Sequence, residues 1–179
     1  MPSAYGYSTE SVTRLAAEWQ EAIERDYSHP CIVAWVPFNE SWGIPELPHS
    51  AVQRSYQQAL YHLTKTLDPT RPVSGNDGWE QLATDIFAVH DYHHSGAVLH
   101  DRYGSEAAFH DTLTTFRSAG RALALDGHPW AGQPVMLTEF GGIAYFMGTE
   151  AGWGYSTAKD TEDFGARCAD VLSGATDSE

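Results

Sequence analysis

Basic residues are scarce in this chain. Ten Lys and Arg stand against 24 Asp and Glu in 179 residues, for a formal net charge of −14. Binding to nucleic acid or to an anionic membrane surface needs a basic face, so both are excluded as expected partners. Only two cysteines occur, Cys31 and Cys168, with no Cys-x-x-Cys pair to hold zinc or run thiol redox chemistry. They are expected as free, buried thiols. No apolar stretch outlasts Cys31 to Phe38, far short of a membrane span. The opening Met-Pro-Ser-Ala-Tyr has neither a basic nor an apolar leader region, so a cytoplasmic placement is expected, with any signal peptide lying upstream. Internal repeats and low-complexity linkers are also missing.

What is present suits one globular domain. Apolar residues make up 42% of the chain and aromatic residues 12%, including six Trp and nine Tyr. Aromatic rings stack on the C–H faces of sugars, but they also fill cores, and composition does not separate the two.

Periodicity supplies the elements. Val12, Leu15, Ala16, Trp19, Ala22 and Ile23 recur at helical spacing, with Ser8 or Thr9 as cap and Ser28-His29-Pro30 as stop. Cys31 to Val36 is apolar on both faces, as in a strand buried within a parallel sheet. A second helix is predicted from about Ser50 to Leu67, its apolar stripe formed by Val52, Tyr56, Ala59, Leu60, Leu63 and Leu67. Short strands follow at Pro72 to Gly75 and Asp85 to Val89. A helix around Phe109, Leu113 and Phe116 comes next, then the strand Val135 to Thr138 and a helix from about Lys159 to Leu172. Gly141 to Thr157 reads as a long loop over the site.

Strands alternate with helices, which predicts a parallel α/β sheet. Polar residues follow each strand, at the edge where α/β barrels place their active sites. Four strands are visible and a closed barrel needs eight, so either the barrel is partial or the sheet is open.

Two of those strands deliver a glutamate. Glu40 follows Cys31 to Phe38, and Glu139 follows Val135 to Thr138. A carboxylate leaving a buried strand is costly unless it is hydrogen-bonded or has work to do. Retaining glycoside hydrolysis needs a pair of this kind, one carboxyl to protonate the leaving oxygen and one carboxylate to attack the anomeric carbon. For either residue alone, a salt bridge at the rim is the simpler account.

The flanking residues carry a resemblance. His29-Pro30-Cys31-Ile32-Val33-Ala34-Trp35-Val36-Pro37-Phe38-Asn39-Glu40-Ser41-Trp42 resembles the acid/base segment of glycoside hydrolase family 2, the β-galactosidases, β-glucuronidases and β-mannosidases. Pro134-Val135-Met136-Leu137-Thr138-Glu139-Phe140-Gly141-Gly142 resembles its nucleophile segment. The resemblance implies a (β/α)8 TIM-barrel fragment running from about the end of strand three to helix seven, with residues 1–179 as one partial catalytic domain. It implies Glu40 as acid/base and Glu139 as nucleophile of a β-galactosidase-like retaining hydrolase acting on terminal β-glycosidic bonds. It implies a carbohydrate substrate and no cofactor. Asn39 is expected at the sugar 2-hydroxyl. A tyrosine such as Tyr92 is expected on the nucleophile, though the register leaves His90, Asp91 and Tyr92 as alternatives for facing the cavity.

Trp42 and Trp153 are candidate sugar platforms, whereas Trp35 is expected in the core. Asn76 and Asp77 either bind sugar hydroxyls or build a turn with Gly78. His90, His93 and His94 with Asp91 raise a metallohydrolase as another class, but the spacing matches no zinc signature and no metal is expected. Lysines are sparse, with Lys159 the only one after Lys65, which favours a neutral sugar over a uronate. Half a barrel would expose sheet edges, so self-association is expected. A truncated barrel with at most weak carbohydrate binding is the alternative to an active enzyme.

Overall fold

The computed structural model describes residues 6–146 and 152–176. Its elements in order are α1 (Thr9–Asp26), α2 (Ala51–Leu67), β1 (Phe87–Asp91), α3 (Gly96–Tyr103), α4 (Glu106–Thr115), β2 (Arg117–Ser118), β3 (Arg121–Ala122), β4 (Val135–Phe140), β5 (Ile143–Ala144), β6 (Ser156–Thr157) and α5 (Thr161–Thr176). The chain forms two compact units. The first runs to Val89 and includes Ala119–Met136; the second comprises His90–Ser118 and the chain from Leu137 onward.

In the first unit, α1 starts at Ser8, whose hydroxyl accepts from the Ser11 N–H while the Ser8 N–H donates to the Ser11 hydroxyl. That reciprocal pair satisfies donors the first helical turn leaves open. Its apolar stripe packs on a core of Phe38, Ile44, Leu47, Tyr56, Leu60, Leu82 and Leu125. Helix α2 is capped by Ser50 and ends at Asp68. Its buried face is rotated from the expected one: Gln53, Tyr56, Gln57, Leu60 and Thr64 are buried, whereas Val52 and Ala59 are exposed. Each polar member makes a side-chain hydrogen bond where it lies, although Gln57 Oε1 is left without a partner among the described residues. Gln53 Oε1 accepts from Glu46 N–H, Gln57 Nε2 donates to Ala83 O, and Thr64 Oγ1 accepts from the Trp19 indole. Buried polar groups that find partners no longer oppose burial.

The segment predicted as a strand buried on both faces is neither continuous nor fully covered. Parallel bridges join Trp35 to Val73 and Asn39 to Asp77, in the expected orientation. Between them stands Pro37, which has no N–H to give a ladder. Val33 is 77% exposed and Cys31 is exposed too, while Trp35, Pro37 and Phe38 are buried, so burial rises along the segment toward Glu40. The expected buried thiols are thereby corrected: both are free, but Cys31 is exposed and Cys168 is only half-buried on α5. Trp35 meets its expectation as a core residue. It packs edge-on against Trp19 and donates its indole N–H to Asp68.

Strand β1 begins two residues later than expected and includes His90 and Asp91. Ahead of it, the Asp85 carboxylate is engaged by the Tyr61 hydroxyl, Lys65 and the Val73 N–H. Strand β4 likewise continues through Glu139 to Phe140 instead of ending at Thr138. Strands β1 and β4 are hydrogen-bonded neighbours.

The second unit holds α3, α4 and α5. Helix α3 lacks a clear apolar stripe in the sequence and is missed there. It packs against α5 through small residues: a Cβ on Gly174 would lie 2.0 Å from the Gly96 carbonyl oxygen, so a larger side chain would push the helices apart. The Asp170 carboxylate on α5 accepts from the Gly96 N–H and serves as the missing cap of α3. Within Gly141 to Thr157, expected as one loop, β5 and β6 pair in parallel, while residues 147–151 lie outside the described residues. The chain thus has the α/β character expected, but among the described residues its strands form two-stranded sheets and isolated bridges, not a closed barrel.

Candidate active site

Glu40 stands on a corner. Its N–H donates to Asp77 O, completing the last parallel bridge, and both Glu40 and Ser41 then take left-handed conformations, with φ of 54° and 56°. Side chains other than glycine rarely adopt this region, and two in succession require a surrounding structure that holds them there. The holding groups are buried. Asn76 Oδ1 accepts from the Ser41 N–H at 3.0 Å, and Asn76 Nδ2 donates to Ser41 Oγ and to Trp79 O. Ser41 Oγ donates to Glu80 Oε2 at 2.5 Å, and Arg121 Nη1 lies 2.9 and 3.0 Å from the two Glu80 oxygens. Gln81 Nε2 donates to the Asn76 and Ala88 carbonyls and anchors the strip from beneath.

Glu139 is placed differently. It lies within a regular strand, with its side chain 44% exposed. Tyr92 OH donates to Glu139 Oε2 at 2.5 Å, and His90 Nε2 lies 3.5 Å from Oε1. Residues two apart on a strand share a face, so the backbone brings His90 and Tyr92 to the carboxylate together and turns Asp91 away. Asp91 is almost fully buried on the opposite side, where it accepts from Arg102, from Tyr103 OH and from the His93 N–H. Of the three residues the sequence left open, His90 and Tyr92 thus lie at Glu139 and Asp91 does not. Burial, with the Asp91 carboxylate beside it, pushes the Tyr103 hydroxyl far above the usual phenol range, so it stays protonated and donating.

The other sequence candidates divide. Asn39 is half-buried, and its carbonyl accepts from the Trp42 N–H. Trp42 is exposed on the same corner. Asn76 is fully buried and makes three side-chain hydrogen bonds, to Ser41 and Trp79, and Gly78 follows it at φ 101°. Trp153 is 77% exposed and meets the Tyr155 ring edge-on, while Tyr155 stacks on Tyr92 at 3.9 Å between ring centroids. The loop histidines His93 and His94 stack on each other, and His93 Nδ1 accepts from the Ser95 N–H.

Sequence reasoning missed Ser41, Glu80, Arg121 and Tyr155. Glu80 alone had a visible signal, a lone carboxylate in the otherwise uncharged Gly78-Trp79-Glu80-Gln81-Leu82.

Known proteins bear on these residues. Residues 4–142 match the family model described as glycosyl hydrolases family 2, TIM barrel domain. Among curated relatives, a beta-galactosidase of Yersinia pestis bv. Antiqua (strain Angola) is 41% identical over 86 residues, 48% of this chain and 7% of its own length. A beta-galactosidase of Yersinia pseudotuberculosis serotype O:3 (strain YPIII) has the same identity over 86 residues, 6% of its length. The aligned stretch is thus a small part of those relatives. The family match covers well over half of this chain and includes both glutamate segments, so the chain belongs to the TIM barrel domain family of glycosyl hydrolases family 2.

Proposed function

We propose that this chain supplies the catalytic pair of a retaining glycoside hydrolase acting on terminal β-linked sugars, with Glu139 as nucleophile and Glu40 as acid/base. The observation that carries the reading is the Tyr92 hydroxyl on Glu139 Oε2. A hydrogen bond to one carboxylate oxygen fixes the plane of the group and leaves the other oxygen to attack.

In the first step Glu139 attacks the anomeric carbon. The glycosidic C–O bond breaks, and the departing oxygen takes the proton of Glu40, leaving a covalent glycosyl–Glu139 ester. In the second step Glu40, now a carboxylate, takes a proton from water. The water oxygen bonds to the anomeric carbon and Glu139 is released. This double displacement calls for carboxyl groups about 5–5.5 Å apart. Asn39, beside Glu40, is assigned to the sugar 2-hydroxyl. His90 sits by the nucleophile, Trp42 and Trp153 offer exposed rings to the sugar or aglycone, and Asn76 serves from below by holding the corner. A neutral galactoside is the proposed substrate, in line with the relatives named beta-galactosidase. No cofactor enters the scheme.

The proposed extent is the partial catalytic domain of residues 1–179, from about the end of strand three through helix seven of the family barrel. The absence of a closed barrel among the described residues favours a second reading for the chain on its own, weak sugar binding without turnover and pairing of open edges with another copy. One experiment addresses both readings. The chain alone, and a full-length protein carrying it, are incubated with a 2-fluoro galactoside and digested for mass spectrometry, with elution volumes recorded beforehand. A label on Glu139 in the full-length protein alone is expected. A label on Glu40 would reverse the roles, and no label in either would remove the retaining mechanism.

A further inference from the structure

We infer that buried Glu80, paired with half-buried Arg121, is a positioning device for the acid/base, acting on Glu40 through the Ser41 hydroxyl. The inference rests on Glu40 being the acid/base. Three observations carry it.

The first is conformational. Glu40 and Ser41 are consecutive left-handed residues, so the direction in which the Glu40 side chain leaves the backbone depends on a turn that does not hold itself.

The second is connectivity. Ser41 is clamped by Asn76 on its N–H and by Glu80 on its hydroxyl. The acceptor on that hydroxyl is ionic, and a charge-assisted bond fixes a hydroxyl rotor more firmly than a neutral one. Glu80 itself has a left-handed φ of 51°, held by its N–H on Ala122 O. The clamp is therefore tied to the segment that also supplies Arg121.

The third is energetic. Glu80 is 2% exposed. Its partner Arg121 is 34% exposed in its side chain, and an ion pair with a buried member is a poor source of stability, since well-packed apolar residues of similar volume often do as well or better. A pair placed where it aims a hydroxyl at a strained corner, one residue from the proposed acid, is better accounted for by geometry than by stability.

The test uses the full-length protein that carries this chain, with Glu80→Gln and Ser41→Gly beside Glu40→Ala. Glycine adopts a φ of 56° without strain, so Ser41→Gly keeps the turn accessible while cutting the link, and it covers the case in which Glu80→Gln fails to fold. Galactosides with a good leaving group (dinitrophenyl) and a poor one (methyl) are compared, with the active fraction counted by the fluorinated-sugar label. A misaimed acid should slow the poor leaving group between about 10- and 100-fold more than the good one, with KM little changed. Equal losses on both substrates in Ser41→Gly, or losses accounted for by the labelled fraction, would overturn the positioning role. If Glu40→Ala itself fails to discriminate between leaving groups, the acid/base reading has failed, and the inference falls with it for that separate reason.

Discussion

The two glutamates are held by opposite means. Glu40 stands on a left-handed corner whose backbone is fixed by buried side chains of Asn76 and Glu80, and its position is a property of the turn. Glu139 stands in an ordinary extended strand, half-open to solvent, and its carboxylate is fixed by side chains that reach it directly, Tyr92 and His90. On the proposed roles, Glu40 must meet a leaving oxygen that differs from one substrate to another, and Glu139 always meets the same anomeric carbon. The comparison teaches that damage to the first residue should come from backbone-supporting groups at a distance, and damage to the second from its immediate hydrogen-bond partners.

The largest expected effect breaks the comparison at its centre. In a full-length protein carrying this chain, Glu40→Ala should lower turnover of poor leaving groups by about 10²–10⁴-fold while largely sparing activated ones. Glu139→Ala should abolish turnover of both and prevent the covalent intermediate. Rates on a leaving-group series separate the two, and equal slopes for both variants would show that the roles are not distinct.

A smaller effect tests the side-chain support of Glu139. Tyr92→Phe removes one hydrogen bond to a charged acceptor, worth about 1.5–3 kcal/mol, or roughly 10- to 100-fold in kcat/KM. The ring keeps its stack on Tyr155, so the thermal midpoint should scarcely move. A variant that loses stability in step with activity would place Tyr92 among structural residues instead.

Helices α1 and α2 were legible because they announce themselves locally, unlike α3. Ser8 and Ser50 cap, Asp68-Pro69 stops, and apolar residues repeat at helical spacing. The rotation of α2 was not legible, because Gln53, Gln57 and Thr64 are buried by partners distant in sequence or outside the helix, and polarity alone argues for exposure. The glutamates were legible as segments resembling a family. The pairing of His90 with Tyr92 follows from strand alternation, once β1 is known to extend to Asp91. The Glu80–Arg121 pair was out of reach: its members are far apart in the chain, and Arg121 lies in a stretch without periodicity.

The smallest effect concerns the far end of the segment that bears Glu40. Trp35 is tethered there by its indole N–H on Asp68, whose carboxylate also accepts from Arg71 and from the N–H and hydroxyl of Thr70. Burial works to raise the Asp68 pKa, yet these hydrogen bonds from Thr70, Trp35 and Arg71 hold it well below the usual carboxylate range. The folded protein then holds this proton less tightly than the unfolded chain does. The stabilisation is present above the unfolded value of about 3.9 and is lost as pH falls through the lower folded value. Asp68→Asn removes the titrating group and, whichever way the amide lies, turns its N–H toward donors, those of Thr70 or those of Trp35 and Arg71. The variant should be less stable than the parent near neutral pH, and the gap should narrow as pH drops below about 4. Urea midpoints across that range measure it. A gap that stays constant with pH would show that Asp68 acts here through packing and not through its charge, and that the two ends of the Glu40 segment are anchored by different physics.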